Sequence, residues 1–157
     1  MALLDLRTSL FNEAAKVAMK ATCLKARCGA IVVSEDGQVI GYGYNAPPLN
    51  DENQRQCLNS YPKSSKPKSD RTCCVHAEWN AILEALKSYP AEVEGSTLYF
   101  MRIDENNNFT EAGEPYCTVC SRLALQSGIK VFGLWNDGPE MWDAKEYNTK
   151  SYEFHNK

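Results

Sequence analysis

The sequence predicts an α/β fold in which helices pack on a central mixed sheet of about five strands. After an initial hairpin, β-prone and helical segments alternate along the chain, which is typical of α/β sandwiches. The length of 157 residues suits one domain with a single sizeable core. The composition, 43% hydrophobic and 24% charged, is that of an ordinary globular protein. We therefore expect residues 1–157 to form a single domain.

The first elements are a helix and a hairpin. Apolar residues recur at helical spacing between residues 5 and 22, with Asn, Glu and Lys on the other side, which predicts an amphipathic helix. Two β-prone runs follow, at 29–34 and 38–43, and an Asp-Gly turn separates them, which predicts a hairpin. The unbroken apolar run at 30–33 indicates a strand that is covered on both faces.

Residues 47–71 are rich in Pro, Asn, Ser, Lys and Gln, and the stretch is too long for a simple connection. We interpret it as an insertion over a functional site. It contains a basic cluster that is typical of a solvated loop or, alternatively, of a phosphate clamp: Lys63, Lys66, Lys68 and Arg71.

The second half of the chain alternates helices with strands. Gly128 is expected to cap one of these helices at its C-terminus. The final stretch is aromatic and charged without a clear period, and we interpret it as a short helix. The predicted elements are a helix over 76–88, a strand over 97–102, a polar loop over 104–113, a helix over 117–127, a strand over 129–135 and a short helix within 140–157.

Charge and cysteine usage limit the classes of function. A net charge of −3 and a pI near 5.4 give no electrostatic reason for a stable nucleic-acid partner, so a small substrate is the better expectation. The first residues contain no apolar run long enough for export or a membrane span, which predicts a cytoplasmic protein. Disulfides are rare in that compartment, so metal ligation is the expected use for some of the seven cysteines.

Two short motifs offer a metal site. His76 and Glu78 lie in the first turn of a predicted helix, where backbone N–H groups are unpaired and the helix dipole is positive. Cys117 and Cys120 supply two thiols at i and i+3 before the next predicted helix. One nitrogen and two sulfurs leave an open position on zinc. A redox pair also uses Cys-x-x-Cys, but it leaves His76 and Glu78 unexplained, and a structural zinc would need a fourth protein ligand.

This ligand set predicts a hydrolytic reaction. Zinc with an open coordination position activates water near neutral pH. Glu78 is better placed to accept the proton of that water than to ligate the metal beside His76. Hydrolytic deamination fits, because Glu78 then carries protons to a ring nitrogen and to the departing ammonia.

The motifs also resemble those of a known family. Residues 76–78 (His-Ala-Glu) with 115–120 (Pro-Tyr-Cys-Thr-Val-Cys) resemble the signature of zinc-dependent nucleobase deaminases, His-x-Glu followed by Pro-Cys-x-x-Cys. Residues 76–82 and 43–47 are most similar to the deoxycytidylate (dCMP) deaminase group. The similarity extends from about residue 14 to 135. Two positions depart from the family pattern, because Tyr116 stands in place of a proline and Ala46 in place of a glycine.

The resemblance implies a fold and an activity. The fold is the three-layer α/β/α sandwich of cytidine deaminases, with zinc held by His76, Cys117 and Cys120 and with Glu78 as acid and base. The implied reaction converts dCMP to dUMP with release of ammonia, in a homo-oligomer that takes a small-molecule nucleotide. Alternatives are a deaminase of cytidine, modified cytosine or tRNA adenosine, or a non-catalytic zinc-binding module. The long insertion and Asn80 argue against the tRNA enzyme.

Further residues receive roles from the resemblance. Asn45 would bind the sugar or phosphate of the substrate, although an Asn at this position also forms turns. Arg27 would contact phosphate or cap the sheet. A second, structural metal is implied, with Cys73 or Cys28 as the fourth ligand; the alternative is a group of buried free cysteines. The three expected ligands of that metal are Cys23, Cys57 and Cys74.

Overall fold

The structure is a computed structural model that describes residues 2–56 and 73–156. Within these residues, six strands form one mixed sheet in the order β2-β1-β3-β5-β6, and the short β4 pairs with the end of β3. Only the β3–β5 pair is parallel among these pairings. The elements are α1 (Ala2–Ala18), β1 (Arg27–Val33), β2 (Val39–Tyr44), α2 (Ala77–Ser88), β3 (Thr97–Ile103), β4 (Phe109–Thr110), α3 (Thr118–Ser127), β5 (Val131–Trp135), β6 (Pro139–Asp143) and α4 (Ala144–His155).

Helices cover both faces of the sheet, which confirms the predicted three-layer arrangement. Successive side chains of a strand point to opposite faces. Tyr99 and Met101 of β3 accordingly pack with Phe11 and Ala14 of α1, in one buried cluster. The alternate residues of β3 lie in a second cluster with residues of α2, α3 and α4, on the other face.

Glycines on β2 determine how closely α2 approaches the sheet. A Cβ atom at Gly43 would lie 2.2 Å from the carbonyl oxygen of Ala77, and one at Gly41 would lie 2.2 Å from that of Ala81. Neither position therefore tolerates a side chain without a shift of the helix. The close approach suits the residues that α2 buries. The buried hydrophobic residues of this helix are Ala77, Ala81, Ile82 and Ala85, whereas Leu83 is 43% exposed.

The end of the chain differs from the prediction. Residues 140–157 were expected to hold only a short helix, but Pro139–Asp143 forms strand β6, antiparallel to β5. The two strands are joined through Asp137 and Gly138, both with positive φ, which is the geometry of a tight hairpin turn. Asp143 then caps α4, because its side chain accepts hydrogen bonds from the backbone N–H groups of Lys145 and Glu146.

Other boundaries are close to those predicted. The first helix ends at Ala18 rather than near residue 22. Gly128 is the C-cap residue of α3, as predicted, and has φ 102°. The polar loop at 104–113 contains the two-residue strand β4. The basic cluster of the insertion, Lys63, Lys66, Lys68 and Arg71, lies outside the described residues. No helix in the described part of the chain combines the length and apolar character that crossing a membrane requires.

Candidate active site

The three predicted metal ligands meet where α2 and α3 begin. His76 is the N-cap residue of α2, and Cys117 is the N-cap residue of α3. The Nδ1 atom of His76 lies 3.2 Å from Sγ of Cys120 and 3.5 Å from Sγ of Cys117, and the two sulfurs are 2.9 Å apart. The candidate ligand atoms all lie within 4.8 Å of one another. His76 and Cys117 are 41 positions apart in the sequence, and they nevertheless belong to one compact set of candidate ligand atoms.

This donor set suits zinc. Zinc takes imidazole nitrogen and thiolate sulfur at about 2.0–2.3 Å. Tetrahedral ligation at those lengths places two sulfurs about 3.8 Å apart, so Cys117 and Cys120 need to separate by about 0.9 Å to bind the ion. A rotation of either side chain supplies such a shift. The imidazole presents Nδ1, and not Nε2, to the two sulfurs.

The two thiols differ in their affinity for a proton. The pKa of Cys117 is lowered to about 4, chiefly because its hydrogen bond with Cys120 favours the thiolate, and His76 adds to this effect. Burial raises the pKa of Cys120, and the hydrogen bond with Cys117 adds to that shift. Without a cation the pair therefore holds one proton, and zinc binding must displace it.

Glu78 is a buried carboxyl group beside these ligands. It is 6% exposed and lies in the first turn of α2. Burial raises its pKa, and the charge of His76 offsets part of that rise. Burial lowers the pKa of His76, but contacts with Cys117 and Glu78 outweigh it, and the net shift is upward. A carboxyl group with a raised pKa is suited to accept and return a proton near neutral pH.

Trp79 also lies at the site, and the sequence analysis gave it no role there. Its ring stacks on the imidazole of His76, with centroids 4.5 Å apart and planes 10° apart. Its indole nitrogen is buried and has no hydrogen-bond partner in the described residues. The helical spacing of three residues was a signal for this contact, because residues i and i+3 are neighbours on a helix.

Asn45 lies near the site, but its amide already has two backbone partners. Its Oδ1 accepts from the N–H of Cys28 at 2.9 Å, and its Nδ2 donates to the carbonyl of Ala26 at 2.7 Å. The amide keeps one N–H and one lone pair for a further partner. Ala46 forms a bridge with Val75, directly before His76, so this segment lies beside the metal ligands.

Arg27 contacts protein groups that tie the loop after β3 to the end of α1. Its guanidinium donates to Asn107 Oδ1 at 2.8 Å, to the carbonyl of Asp104 at 3.3 Å and to that of Met19 at 2.9 Å. These contacts support the sheet-capping alternative over contact with a phosphate.

His155 is an exposed residue of α4 that contacts the backbone beside a candidate ligand. Nε2 of His155 donates a hydrogen bond to the backbone carbonyl of Tyr116, at 2.6 Å, and Tyr116 directly precedes the ligand Cys117. This contact between α4 and the start of α3 spans 39 residues of sequence. No local pattern in the sequence could have indicated it.

The cysteines proposed for a second metal are described only in part. Burial raises the pKa of Cys74, and its hydrogen bonds with Cys23 and Cys73 contribute to that rise. These thiols are therefore neighbours. Cys57 lies outside the described residues. In residues 2–56 and 73–156, no group of three metal-ligating side chains other than His76, Cys117 and Cys120 is assembled.

Comparison with known proteins gives close relatives. The family profile described as the cytidine and deoxycytidylate deaminase zinc-binding region matches residues 5–134. The deoxycytidylate deaminase of Schizosaccharomyces pombe is 41% identical over 126 residues, which cover 78% of this chain and 34% of the relative. That of Saccharomyces cerevisiae is 33% identical over 116 residues, covering 71% of this chain and 31% of the relative. The chain thus spans about a third of the length of these curated relatives.

Solved structures share the fold. The dCMP deaminase from the cyanophage S-TIM5, in complex with dCMP and dUMP, aligns with a TM-score of 0.55 and 21% identity over 82% of this chain and 79% of that one. A cytidine deaminase from Burkholderia pseudomallei aligns with a TM-score of 0.58 and 17% identity over 89% of this chain and 94% of that one. These similarities confirm the predicted cytidine deaminase-like sandwich. Since the family profile spans most of the chain and includes both motifs of the site, the chain belongs to the cytidine and deoxycytidylate deaminase family.

Proposed function

We propose that this chain is a zinc-dependent deaminase that converts dCMP to dUMP by hydrolysis and releases ammonia. The observation that carries the proposal is the meeting of one imidazole nitrogen, two thiols and a buried carboxyl group at the start of two helices. The names of the yeast relatives support dCMP as the substrate. We further propose that residues 1–157 act as one deaminase domain in a cytoplasmic homo-oligomer, without a stable nucleic-acid partner.

The residues of the site have different roles in the proposed hydrolysis. His76, Cys117 and Cys120 hold zinc, which when bound supplies Lewis-acid activation of water. Glu78 takes a proton from the attacking water and passes protons to the ring nitrogen and to the leaving amine. Its burial supports this role, because a carboxyl group with a raised pKa gives up a proton less readily than an exposed one but still does so near neutral pH.

Substrate contacts beyond the reacting ring are assigned to Asn45. The remaining N–H and lone pair of its amide suit a sugar hydroxyl, which both donates and accepts. The backbone bonds to Cys28 of β1 and to Ala26, directly before that strand, hold the amide in a fixed orientation. A contact with the sugar would favour nucleosides and nucleotides over the free base.

The function is tested with zinc-loaded protein and a panel of dCMP, deoxycytidine, cytidine, cytosine and tRNA, with ammonia release as the readout. Glu78→Gln should bind zinc normally and lose at least about 10²-fold in turnover, because it keeps the shape but removes the proton acceptor. Glu84→Gln is the matched control on the same helix, since its remaining carbonyl still accepts from the N–H of Tyr42. Unchanged turnover in Glu78→Gln, or ammonia release from none of the cytosine compounds, would contradict the proposal.

A further inference from the structure

Tyr116 precedes the ligand Cys117 and is held from two sides of the fold. Its hydroxyl accepts a hydrogen bond from the guanidinium of Arg102 on β3, at 3.1 Å. Its backbone carbonyl accepts from Nε2 of His155 on α4, at 2.6 Å. The ring of Phe154 lies 5.9 Å from the tyrosine ring. Both the side chain and the backbone of Tyr116 are therefore fixed by residues far away in sequence.

Arg102 lies on the site-facing side of the sheet. It is opposite Cys28 in the pairing of β1 with β3, and its neighbours at alternate positions, Leu98 and Phe100, belong to the core under α2 and α3. The guanidinium is only partly exposed, and its Nε has no hydrogen-bond partner in the described part of the chain. A charged group in such a place needs acceptors. The hydroxyl of Tyr116 is one of these acceptors, so loss of this hydrogen bond would leave the partly buried guanidinium with one acceptor fewer.

We propose that Arg102 and Tyr116 form a positioning pair for the zinc ligand Cys117. The family signature has a proline directly before this cysteine, and a proline ring fixes φ of the backbone. The side chain of Tyr116 does not fix φ in this way, and the hydrogen bond from Arg102 to its hydroxyl supplies the restraint instead. Groups that orient a metal ligand from behind typically change metal affinity or activity by about 10- to 100-fold when removed. The inference rests on the proposed zinc site and assigns a role to two residues that do not touch the ion.

The test measures zinc affinity by competition with a chromophoric chelator. Tyr116→Phe keeps the ring and removes the hydroxyl, and we expect it to weaken zinc binding by about 10- to 100-fold. Arg102→Met should weaken zinc binding at least as much, because it also removes the contact of the guanidinium with Cys28. The double variant should be no weaker than Arg102→Met alone, because both changes break the hydrogen bond between Arg102 and Tyr116. Tyr152→Phe is the matched control, since it removes a hydroxyl from a tyrosine of α4 that is 42% exposed.

Two further readouts separate positioning from general stability. In the cobalt-substituted protein, the thiolate-to-metal charge-transfer bands should change in Tyr116→Phe and not in Tyr152→Phe. Tyr116→Pro should bind zinc more tightly than Tyr116→Phe, because the proline ring restores a fixed φ.

The outcomes distinguish this inference from the proposed function. If Tyr116→Phe binds zinc as the wild-type protein does and leaves the cobalt spectrum unchanged, the proposed positioning role of Arg102 and Tyr116 is rejected, while the proposed zinc site is unaffected. The pair is also wrong if zinc affinity falls only in proportion to the thermal stability of the metal-free variants and Tyr116→Pro restores none of it. A wild-type protein that binds no zinc at His76, Cys117 and Cys120 overturns the proposed function and the pair together.

Discussion

At the residue scale, the site is a cluster of groups that control one another's charge. Cys120 and His76 lower the pKa of Cys117 by favouring its thiolate, while burial and the contact with Cys117 raise the pKa of Cys120. Glu78 lies in the same buried cluster, with its pKa raised mainly by desolvation. A bound cation would reverse this balance, since it favours both thiolates at once. The chemistry of each residue therefore depends on its neighbours more than on its own type.

The stacking of Trp79 on His76 makes a prediction at this scale. Trp79→Leu should weaken zinc binding by roughly 2- to 10-fold, because a stacked aromatic pair is worth about 0.5–1.5 kcal/mol and orients the imidazole. Trp79→Phe keeps an aromatic face and should retain most of the affinity. Chelator competition is the measurement, with Trp142→Leu as the control, since Trp142 also has a buried, unpartnered indole nitrogen but lies on β6. Equal losses in Trp79→Leu and Trp142→Leu would show that the stacking has no specific role.

At the scale of elements, α2 links the sheet to the metal site. The side chain of Asn80 donates to the carbonyl of Tyr44 at 2.9 Å, and Gly43 lets the first turn of the helix rest on β2. His76 and Glu78 at the start of α2 are thereby fixed relative to the sheet. Periodicity predicted this helix well. Periodicity alone does not show which residues of α2 are buried, because their burial depends on the glycines of a strand more than 30 residues away.

This arrangement predicts different effects for two alanine substitutions on β2. Gly41→Ala and Gly43→Ala each place a Cβ 2.2 Å from a helix carbonyl, so both should lower the free energy of unfolding of the metal-free protein by about 1–3 kcal/mol. Only Gly43→Ala acts against Ala77, which is adjacent to His76, so only this variant should also weaken zinc binding. Chemical denaturation and chelator competition on both proteins check the prediction. Comparable zinc affinity in the two variants would mean that the start of α2 is not held by this contact.

Strand β6 shows where sequence patterns were insufficient. Residues 139–143 are only partly buried and do not alternate strongly between apolar and polar types, so they carry little strand signal. The stronger sequence signal was the Asp-Gly pair at 137–138. In the structure both residues have positive φ values, which suit a hairpin turn. The strand forms because β5 offers a pairing edge, which is a property of the assembled sheet and not of the segment.

At the scale of the whole molecule, the sequence predicted which candidate ligands meet, but not the contacts that support them. His76, Glu78 and the two cysteines are identified by local spacing at helix starts, where metal chemistry restricts the residue types. The contacts that hold them join distant segments, as Tyr116 does with His155 across 39 residues. Such contacts follow from the order of strands in the sheet, which a single sequence determines only weakly. The same limitation applies to Asn45, whose hydrogen bonds to Ala26 and Cys28 became evident only in the fold.

The neighbouring thiols of Cys23 and Cys74 support a prediction about metal content. If they bind a second, structural zinc together with Cys57, the purified protein should approach two zincs per chain, because the cysteines of residues 2–56 and 73–156 are free thiols that can ligate a metal. Cys74→Ala should lose one zinc and keep the one at the active site. Cys120→Ala should lose the other, which makes the two variants controls for each other. One zinc per chain in wild-type protein purified without chelator would exclude the second site.

The last prediction concerns the phosphate of the substrate. A cationic side chain that reaches the phosphate would favour a phosphorylated ligand, since a hydrogen bond to a charged group contributes about 1.5–3 kcal/mol. One such contact suffices for kcat/KM on dCMP to exceed that on deoxycytidine by about two orders of magnitude, which needs about 2.7 kcal/mol.

The basic residues of the insertion are the candidates for that contact. Replacing Lys63, Lys66, Lys68 and Arg71 together by Gln should lower kcat/KM for dCMP and leave that for deoxycytidine unchanged. Replacing Lys16 in the last turn of α1 and Lys20 just after that helix is the control for a general loss of positive charge, because both side chains are exposed. Steady-state kinetics on both substrates separate the possibilities. Equal rates on nucleoside and nucleotide in the wild-type protein would reject dCMP as the preferred substrate and leave the zinc chemistry intact. A preference for dCMP that survives the four substitutions would instead assign phosphate recognition to other residues.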